Sequence, residues 1–495
     1  MLLAAATAPL GLGLLAFVAL VPLLRPVATR RRPLETALAG GACGLVFFGI
    51  GFAEFPWNLH DPLIWSAFAG LVAVLSALAA ALGGALGLLA RRGAGAALAA
   101  VPLLWASFEF ARSEGPSGLP WLRLSDAVAE WPALIQCAAL GGATLVSAWI
   151  AAVNAALAAA VWGRRRAGVP LALGLAAGAL LGALVLQGAN LRPGGSRIAA
   201  VQPAIRSADR LSPAHFAANL DRLLALSRGA AAGAPDLIVW PEGAWLRPAD
   251  AEGEPFLGVI ANVLGTPVLA GARRPEPGSA WRWNSAVLAL PGGLTRVAGD
   301  KVTPLPFYER APGGRLARAL ARLVPWPGTV RAAREAGIVE VPTARGDRVR
   351  VGILICIDAA HPALARSLRR RGAELLVSVA NEADSGPWSA RQHAALVRLR
   401  AVETGLALAR VANTGPSLWV DPWGREIARL DADTPAFGAA TAPPPRPAPP
   451  YVALGDAPVL AALFLPALAG LVSRSRAVPR VSRWIDSTAH EERTR

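Results

Sequence analysis

The sequence predicts a multi-pass α-helical membrane domain followed by a layered α/β domain. Of its 495 residues, 54% are hydrophobic and only 17% are charged, and the mean hydropathy is +0.43. An ordinary soluble domain has about 25% charged residues. Apolar runs of bilayer-crossing length, about 20 residues, fill the N-terminal part, whereas short apolar runs alternate with helical stretches further on. This composition excludes a disordered chain, a coiled coil and a small disulfide scaffold.

Seven apolar runs are candidate membrane spans, of which the fourth is the weakest because it is short and contains Glu109. The runs cover approximately residues 3–24, 34–55, 63–90, 96–111, 133–162, 169–188 and 455–473. We therefore expect about six transmembrane helices in the N-terminal part and one more after the α/β domain. The expected divisions are 1–188 for the helices, 189–454 for the α/β domain, 455–473 for the last helix and 474–495 for a basic tail.

The arginines outside residues 189–454 are distributed asymmetrically. Fifteen of the seventeen lie in alternate loops or in the C-terminal tail: Arg25, Arg30, Arg31, Arg32, Arg91, Arg92, Arg164, Arg165, Arg166, Arg474, Arg476, Arg480, Arg483, Arg493 and Arg495. Basic loops stay in the cytoplasm, so we expect an inner-membrane protein with its α/β domain in the periplasm. The same count places Met1 outside, at the start of a span, which leads us to expect a further helix before it.

The segment 189–454 contains alternating strand and helix patterns. Strands are predicted at 198–202, 237–240, 268–271, 349–355, 375–380 and 406–412, and helices at 213–232, 254–264, 361–372 and 388–404. This alternation is typical of layered α/β domains, whose functional sites are usually assembled at the carboxyl ends of strands.

Two reactive side chains directly follow predicted strands. Glu242 has the chemistry of a general base, and Cys356 that of a nucleophile for acyl transfer. The alternatives are an exposed loop acid for Glu242 and a buried packing thiol for Cys356. Cys43 and Cys137 lie in apolar spans and fit the packing role, whereas Cys356 is the only cysteine of the α/β segment. The three cysteines give no disulfide framework.

Lys301 is the only lysine of the chain, and the other 48 basic residues are arginine. A surface lysine is ordinarily solvated and without function. Here its retention suggests a position at which the larger, forked guanidinium of arginine would not serve. A lysine ammonium group can stabilise a developing oxyanion as a compact charge.

The order Glu242, Lys301, Cys356, with separations of 59 and 55 residues, resembles the triad of the nitrilase (carbon–nitrogen hydrolase) superfamily. Further motifs make the chain similar to the apolipoprotein N-acyltransferase family, the membrane-bound members of that superfamily. These are Gly118-Leu-Pro-Trp121, Trp240-Pro-Glu242, Asp300-Lys301, Glu309, Asn381-Glu-Ala, Gln392-His393, Arg398-Leu-Arg-Ala-Val-Glu403, Ala412-Asn-Thr-Gly415 and Tyr451-Val-Ala-Leu-Gly-Asp456. The resemblance covers nearly the whole chain, and it implies a nitrilase-like αββα sandwich for residues 189–454.

The resemblance implies transfer of a fatty acyl chain from a phospholipid to the N-terminal amine of diacylglyceryl-cysteine in bacterial apolipoproteins, through a cysteine thioester. Glu242 would be the general base, Cys356 the nucleophile and Lys301 the oxyanion-stabilising cation. Glu309 and Asp358 are expected to support these residues. A surface acid is an equally good interpretation of Glu309.

Substrate contacts are expected at Trp121, Trp240 and Asn381. An interfacial aromatic belt explains Trp121 equally well, and turn formation explains Asn381 equally well. The expected partners are the phospholipid donor, the lipoprotein acceptor and the bilayer, with no cofactor, no metal and no nucleic acid. Apolar loops at 304–308 and 323–326 are candidate lids.

The sequence departs from the family pattern near the nucleophile. Ile357 and Asp358 replace an aromatic residue and a glutamate, and Asp384 replaces an aromatic residue. These differences keep three alternatives open: an acyltransferase acting on another amine, a membrane-tethered amidase and a catalytically silent lipid- or lipoprotein-binding relative. A transporter is weaker, because no span carries paired ionisable residues.

Overall fold

The computed structural model describes residues 1–7, 10–59, 62–114, 118–162, 165–190, 194–210, 213–245, 253–305, 308–310 and 329–461. Within these ranges a helical part precedes an α/β part, and the two pack against each other. The predicted tail, most of the last predicted span and the candidate lid at 323–326 lie outside the described residues.

The N-terminal part is helical throughout. Its α-helices are Leu2–Ala6, Val21–Ala28, Pro33–Phe52, Glu54–Leu59, Pro62–Arg92, Ala94–Ala99, Val101–Ser113, Leu124–Ala127, Pro132–Ile135, Ala138–Trp162 and Arg165–Gln187, with a 3₁₀ helix at Gly13–Phe17. Three stretches among the described residues are long and apolar enough to cross a membrane: Pro33–Phe52, Ile64–Arg92 and Ala138–Trp162. These three correspond to the second, third and fifth predicted spans.

Two other predicted spans are not single continuous helices. The run at 3–24 is divided into short helices, and the run at 96–111 is broken at Ala100. Pro102 lies in the first turn of the helix that follows this break. A proline without an amide hydrogen is tolerated at that position but interrupts a helix interior. The total of about six N-terminal spans therefore stays a prediction.

The helix Ala138–Trp162 bends at Gly141 and Gly142, whose backbone angles are not helical. Gly142 has a φ of +67°, and a Cβ at this position would lie 2.5 Å from the ring of Tyr451. Only glycine combines this backbone conformation with so close an approach. The bend brings the helix against the segment that follows the α/β part.

The α/β part is built on two six-stranded sheets. The strands are β1 Ser196–Gln202, β2 Leu237–Val239, β3 Val268–Pro275, β4 Arg282–Ala289, β5 Thr295–Asp300, β6 Ile338–Pro342, β7 Arg348–Ile355, β8 Leu375–Ala380, β9 Ala407–Ala412, β10 Ser417–Val420, β11 Glu426–Leu430 and β12 Ala436–Ala442. The sheet orders are β12-β1-β2-β3-β4-β5 and β11-β10-β9-β8-β7-β6. In each sheet three central strands are parallel, β1-β2-β3 and β7-β8-β9, and the outer strands are antiparallel.

Alternation along the strands produces four layers. In β1, Ile198 and Ala200 pack between the two sheets, whereas Ala199 and Val201 face a layer of helices. The outer layers consist of Phe216–Ala231 and Gly253–Leu264 on the first sheet, and of Pro362–Arg370 and Pro387–Thr404 on the second. Successive side chains of a strand point to opposite faces, so strands buried on both faces have no polar alternation. The predicted αββα sandwich is confirmed.

The helix Pro387–Thr404 is buried on most of its surface because it lies between the second sheet and the helical part. Leu399 and Val402 belong to the core of the helical part. Val397 and Ala401 belong to the core beneath the second sheet. One helix therefore contributes to both hydrophobic cores.

Hydrogen bonds also cross this boundary. The Glu54 carboxylate accepts the backbone N–H groups of Trp388 at 3.0 Å and Ser389 at 2.7 Å, at the N-terminus of the shared helix. Near its C-terminus, the Glu403 carboxylate accepts the N–H of Ala143 at 2.9 Å. A carboxylate at a helix N-terminus satisfies amides that have no partner within the helix. These contacts fix the α/β part against the helical part.

The Gly142→Ala substitution tests the importance of the bend. We expect it to destabilise the protein by about 1–3 kcal/mol, because it combines a left-handed backbone angle with overpacking against Tyr451. The measurement is the midpoint of thermal unfolding of the full chain in detergent. Gly95→Ala is the matched control, since Gly95 is helical and a Cβ there meets no atom within 4 Å. Equal midpoints for the two variants would contradict this explanation of the bend.

Candidate active site

Four loops that follow strands bring polar side chains into one cavity. Glu242 comes after β2, Lys301 after β5, Cys356 after β7 and Asn381 after β8. All four line a cavity of about 570 Å³. The structure thus brings together the three residues recognised from their order in the chain, and Asn381 with them.

Lys301 lies between two carboxylates. Its Nζ is 3.3 Å from Glu242 Oε1 and 2.7 Å from Glu309 Oε2, and the side chain is almost completely buried. Asn284 Nδ2 donates to Glu242 Oε1 at 2.6 Å and to Glu309 Oε1 at 3.4 Å. The Glu309 carboxylate also accepts the N–H of Leu305 at 2.7 Å. Glu309 is therefore a partly buried partner of the lysine and not a free surface acid.

The charges around Lys301 and Cys356 act on both groups. Burial alone lowers the pKa of Lys301, but the attraction of Cys356 in its thiolate form, and of Glu242 and Glu309, outweighs it and holds the pKa well above its ordinary value. Burial, reinforced by Glu242, raises the pKa of the Cys356 thiol well above its ordinary value, and the opposing effect of Lys301 is smaller. In this state the lysine is a cation and the cysteine a thiol, so attack by sulfur requires a base.

Cys356 occupies a strained turn. It is the first residue of the 3₁₀ helix Cys356–Ala360 and has a φ of +54°. Such a conformation in a non-glycine residue costs of order 1–3 kcal/mol and is retained where the surroundings determine it. His393 Nε2 lies 2.9 Å from the Cys356 carbonyl oxygen. Since a carbonyl oxygen can only accept, Nε2 carries a proton and donates to it.

A buried ion pair holds the other side of this histidine. Glu382 Oε1 is 2.9 Å from His393 Nδ1 and also accepts from Arg410 Nη2. Burial alone raises the pKa of Glu382, but Arg410 and His393 outweigh it, so the pKa lies below its ordinary value. Arg410 is completely buried and donates to the Pro416 carbonyl oxygen. The network connects the backbone of the nucleophile to β9 and to the loop after β8.

Asp358 connects the lysine loop to the nucleophile turn. Its carboxylate accepts the N–H groups of Val302 at 3.1 Å and Thr303 at 2.8 Å, and also the Thr303 hydroxyl. The same carboxylate accepts the N–H of Ile355 at 3.3 Å. The aspartate that replaces the family's glutamate therefore still reaches the loop that carries Lys301. Asp358 is not among the residues that line the cavity.

The cavity extends from the reactive side chains to the helical part. Its apolar wall is formed there by Phe52, Pro56, Ile64, Ala67, Phe68 and Leu71. On another side, the hydroxyl of Tyr308 donates to Asp384 Oδ2 at 2.9 Å, and the hydroxyl of Ser207 contacts Oδ1. Asp384, which stands where the resemblance leads us to expect an aromatic residue, thus connects three segments around the cavity. The residues at 306–307, within the candidate lid 304–308, lie outside the described part.

The predicted substrate residues have different positions. Trp121 lines the cavity, donates from Nε1 to Gln392 Oε1 at 2.6 Å and has its ring 5.4 Å from that of His393. Asn381 lines the cavity and accepts from Asn413 at 3.1 Å. Trp240 is completely buried in the outer core of the first sheet, where its Nε1 donates to Ser227 at 2.9 Å. The structure therefore gives Trp240 a packing role and does not support the predicted substrate contact.

Sequence reasoning did not find Asn284 or Arg410, and it noted Glu382 and His393 only as parts of shared motifs. Asn284 lies inside β4, which has no recognised motif, and Arg410 lies inside the buried strand β9. A charged residue in an otherwise apolar buried strand is rarely without a partner. That signal was available for Arg410.

Comparisons with known proteins agree over most of the chain. Residues 1–156 match the model of the apolipoprotein N-acyltransferase N-terminal domain, and residues 197–441 match that of the carbon–nitrogen hydrolase. An apolipoprotein N-acyltransferase of Geobacter metallireducens is 29% identical over 435 residues, with 84% of this chain and 82% of the relative covered. One from Gloeobacter violaceus is 32% identical over 448 residues, with 85% and 82% covered.

A solved structure of a mutant Nesterenkonia AN1 amidase from the nitrilase superfamily is also similar. It is 22% identical, with 54% of this chain and 96% of that one covered, and its TM-score is 0.40. The two matched family models and the described fold define a membrane protein with a carbon–nitrogen hydrolase domain. The chain belongs to the apolipoprotein N-acyltransferase family, and it is an enzyme that transfers acyl groups to nitrogen.

The raised pKa of Cys356 predicts how this thiol reacts with iodoacetamide. Only the thiolate is reactive, so we expect slow alkylation at neutral pH and a rate that still rises beyond about pH 9. The measurement is intact-mass alkylation of a Cys43→Ser/Cys137→Ser variant, whose only thiol is Cys356. The same variant unfolded in denaturant is the control, because its thiol should follow an ordinary titration. A folded-state rate that levels off below pH 8 would contradict the described electrostatics.

Proposed function

We propose that this enzyme transfers a fatty acyl chain from a phospholipid to the N-terminal amine of diacylglyceryl-cysteine in bacterial apolipoproteins, through a thioester on Cys356. The observation that carries the proposal is the composition of the cavity. Glu242, Lys301 and Cys356 line one side, and apolar side chains of the helical part line another. An acyl ester with a long chain needs both surfaces at once. Relatives with the corresponding name cover most of this chain.

In the first half-reaction, Glu242 takes the thiol proton of Cys356 and the sulfur attacks the ester carbonyl carbon of the phospholipid. Negative charge develops on the carbonyl oxygen, where the ammonium group of Lys301 stabilises it. The intermediate collapses with cleavage of the carbon–oxygen bond. Glu242 returns the proton to the departing oxygen, so that lysophospholipid leaves and a neutral thioester remains.

In the second half-reaction, the α-amine of the acceptor attacks the thioester carbonyl carbon. Glu242 takes a proton from the attacking nitrogen, Lys301 again faces the oxyanion, and the carbon–sulfur bond breaks. The proton passes to the sulfur of Cys356, which restores the thiol. The sum of both steps is a phospholipid and an amine giving a lysophospholipid and an amide, with no net proton change.

Supporting residues keep this geometry without reacting. Glu309 and Asn284 orient Lys301 and Glu242 through the contacts given above. Asp358 holds the lysine loop against the nucleophile turn, and His393 holds the carbonyl of Cys356. Preorganised groups need no rearrangement when charge develops, which is the main electrostatic contribution to such catalysis.

The membrane helices keep both lipid substrates beside the site. Transfer of an acyl chain out of the bilayer costs about 0.8 kcal/mol per CH₂, so a cavity with a wall of membrane-helix side chains removes most of this cost. We place the enzyme in the bacterial inner membrane with its α/β domain on the periplasmic side. The arginine asymmetry of the loops supports this orientation.

The direct test is a product assay with the full chain in detergent, phosphatidylethanolamine and a diacylated lipopeptide. We expect lysophospholipid and triacylated lipopeptide in equal amounts, because each thioester is resolved by one amine. Free fatty acid in place of the acylated peptide would indicate that water is the acceptor. The absence of all three products would contradict acyl transfer altogether.

Lys301→Arg is the most specific variant for this assay. We expect a loss of about 10²–10³-fold in kcat, because the buried space between Glu242 and Glu309 suits an ammonium and not a guanidinium fork. Arg348→Lys is the matched control, since Arg348 is exposed and, among the described residues, its ion pair is with Glu340. Activity within about twofold of wild type in Lys301→Arg would reject an oxyanion role that depends on the compact charge of lysine.

A further inference from the structure

Two arginines line the same cavity at the ends of neighbouring strands. Arg273 lies on β3 and Arg282 on β4, and both are among the residues of the cavity wall. We call Arg273 and Arg282 the rim arginines. Neither takes part in the reaction steps described above.

The strand register places the rim arginines beside the reacting groups. Arg273 is paired with Asn284, which donates to Glu242. Arg282 precedes Asn284 by two residues on the same strand. Side chains two positions apart share one face of a sheet and are about 7 Å apart along the strand. The rim arginines and Asn284 therefore face the cavity together, with Arg273 opposite Asn284 on the neighbouring strand and Arg282 two residues nearer the strand end.

Arg274, which follows Arg273 on β3, faces the other way, and this supports the assignment. Arg274 donates to Ser285 at 2.9 Å and to Asp300 at 3.0 Å. This ion pair lies on the opposite face of the first sheet. The two faces are therefore distinct, and only the face of Arg273 opens into the cavity.

Several charged groups of the cavity are held by one another. Lys301 is held by Glu242 and Glu309, and Glu382 by Arg410. In the part of the chain that the structure describes, the guanidinium of Arg282 makes no hydrogen bond or ion pair, and the residue is exposed. Arg282 therefore supplies positive charge at the rim of the cavity that an anionic ligand can neutralise.

The cavity presents three kinds of surface. Apolar side chains of the helical part form one wall, and the nucleophile with its partners and the rim arginines line the rest. A diacyl phospholipid has the three matching kinds of chemistry: an acyl chain, an ester carbonyl and, a few bonds further, a phosphodiester. Arginine binds phosphate oxygens through paired, charge-assisted hydrogen bonds.

We propose that Arg273 and Arg282 form a binding subsite for the phosphodiester group of the phospholipid acyl donor. This subsite rests on the proposed function, because it assigns a position to that donor. It acts in the first half-reaction only, since the diacylglyceryl acceptor brings no phosphate. By anchoring the headgroup, it holds the ester carbonyl against Cys356 and selects phosphate-containing esters over other acyl esters.

The test compares two acyl donors with the same chain in the first half-reaction. One is phosphatidylethanolamine, and the other is a p-nitrophenyl ester, which has an ester carbonyl and no phosphate. The full-length Arg273→Gln/Arg282→Gln variant and the wild type are mixed with each donor in detergent, without any acceptor. The rate of acyl-enzyme formation on Cys356 is followed by intact mass.

For the double variant we expect a loss of about tenfold or more with phosphatidylethanolamine and a rate within about twofold of wild type with the phosphate-free ester. Arg273→Lys/Arg282→Lys should recover part of the phospholipid rate, because lysine keeps the charge but not the fork. Arg348→Gln is the control. It removes one arginine charge at the start of β7, the end of the strand away from Cys356, and should leave both rates unchanged.

Two outcomes overturn the subsite. One is an unchanged phospholipid rate in the double glutamine variant, and the other is an equal loss with both donors, which would indicate a structural effect. If the wild type forms an acyl-enzyme with neither donor, the proposed function itself fails. That outcome is distinct from the other two, because it appears before any arginine is changed.

Discussion

The contact of Lys301 with Glu242 and Glu309 is the interaction on which the rest of the site depends. Burying one of these charges alone would cost several kcal/mol, and the three are tolerated because the ammonium group attracts both carboxylates and all three groups are further hydrogen-bonded. They come from loops after β2 and β5, and Cys356 comes from the facing sheet. Only the stacked arrangement of two sheets brings these loops together. Burial, reinforced by the negative charge of Glu242, raises the pKa of Cys356 and leaves it as a thiol, and this makes a neighbouring base necessary.

The second constraint is the boundary between the α/β part and the helical part. The helix Pro387–Thr404 belongs to both cores, and it carries His393, which holds the backbone of the nucleophile. Glu54 on the helical part receives the amides at its N-terminus. The cavity at this boundary therefore has one wall from each part. A soluble domain with the same sheets would lack the apolar wall that a lipid chain needs.

Residues that stand out by type or by position were predictable from the sequence, and those defined by packing were not. Lys301 was recognised because no other lysine occurs and because it falls in order with a glutamate and a cysteine. Asn284 and His393 act through distances across strands and helices, which spacing in the sequence does not encode. Trp240 was assigned to substrate because it lies two residues before Glu242, but it packs in the outer core of the first sheet, whereas the chain leaves β2 after Val239 and brings Glu242 to the cavity. Hydropathy located the long helices, but it could not show that a new helix begins at Val101, with Pro102 in its first turn.

The central claim is that one cysteine carries the acyl group between two substrates. The most direct measurement is a chase experiment: the enzyme is loaded with an isotope-labelled phospholipid, separated from free lipid and then mixed with a diacylated lipopeptide. We expect a mass increase of one acyl group in wild type and none in Cys356→Ala, followed by loss of that mass as the peptide gains a labelled amide. Label that remains on the enzyme after the amine is added, or peptide acylation without any covalent species, would contradict it.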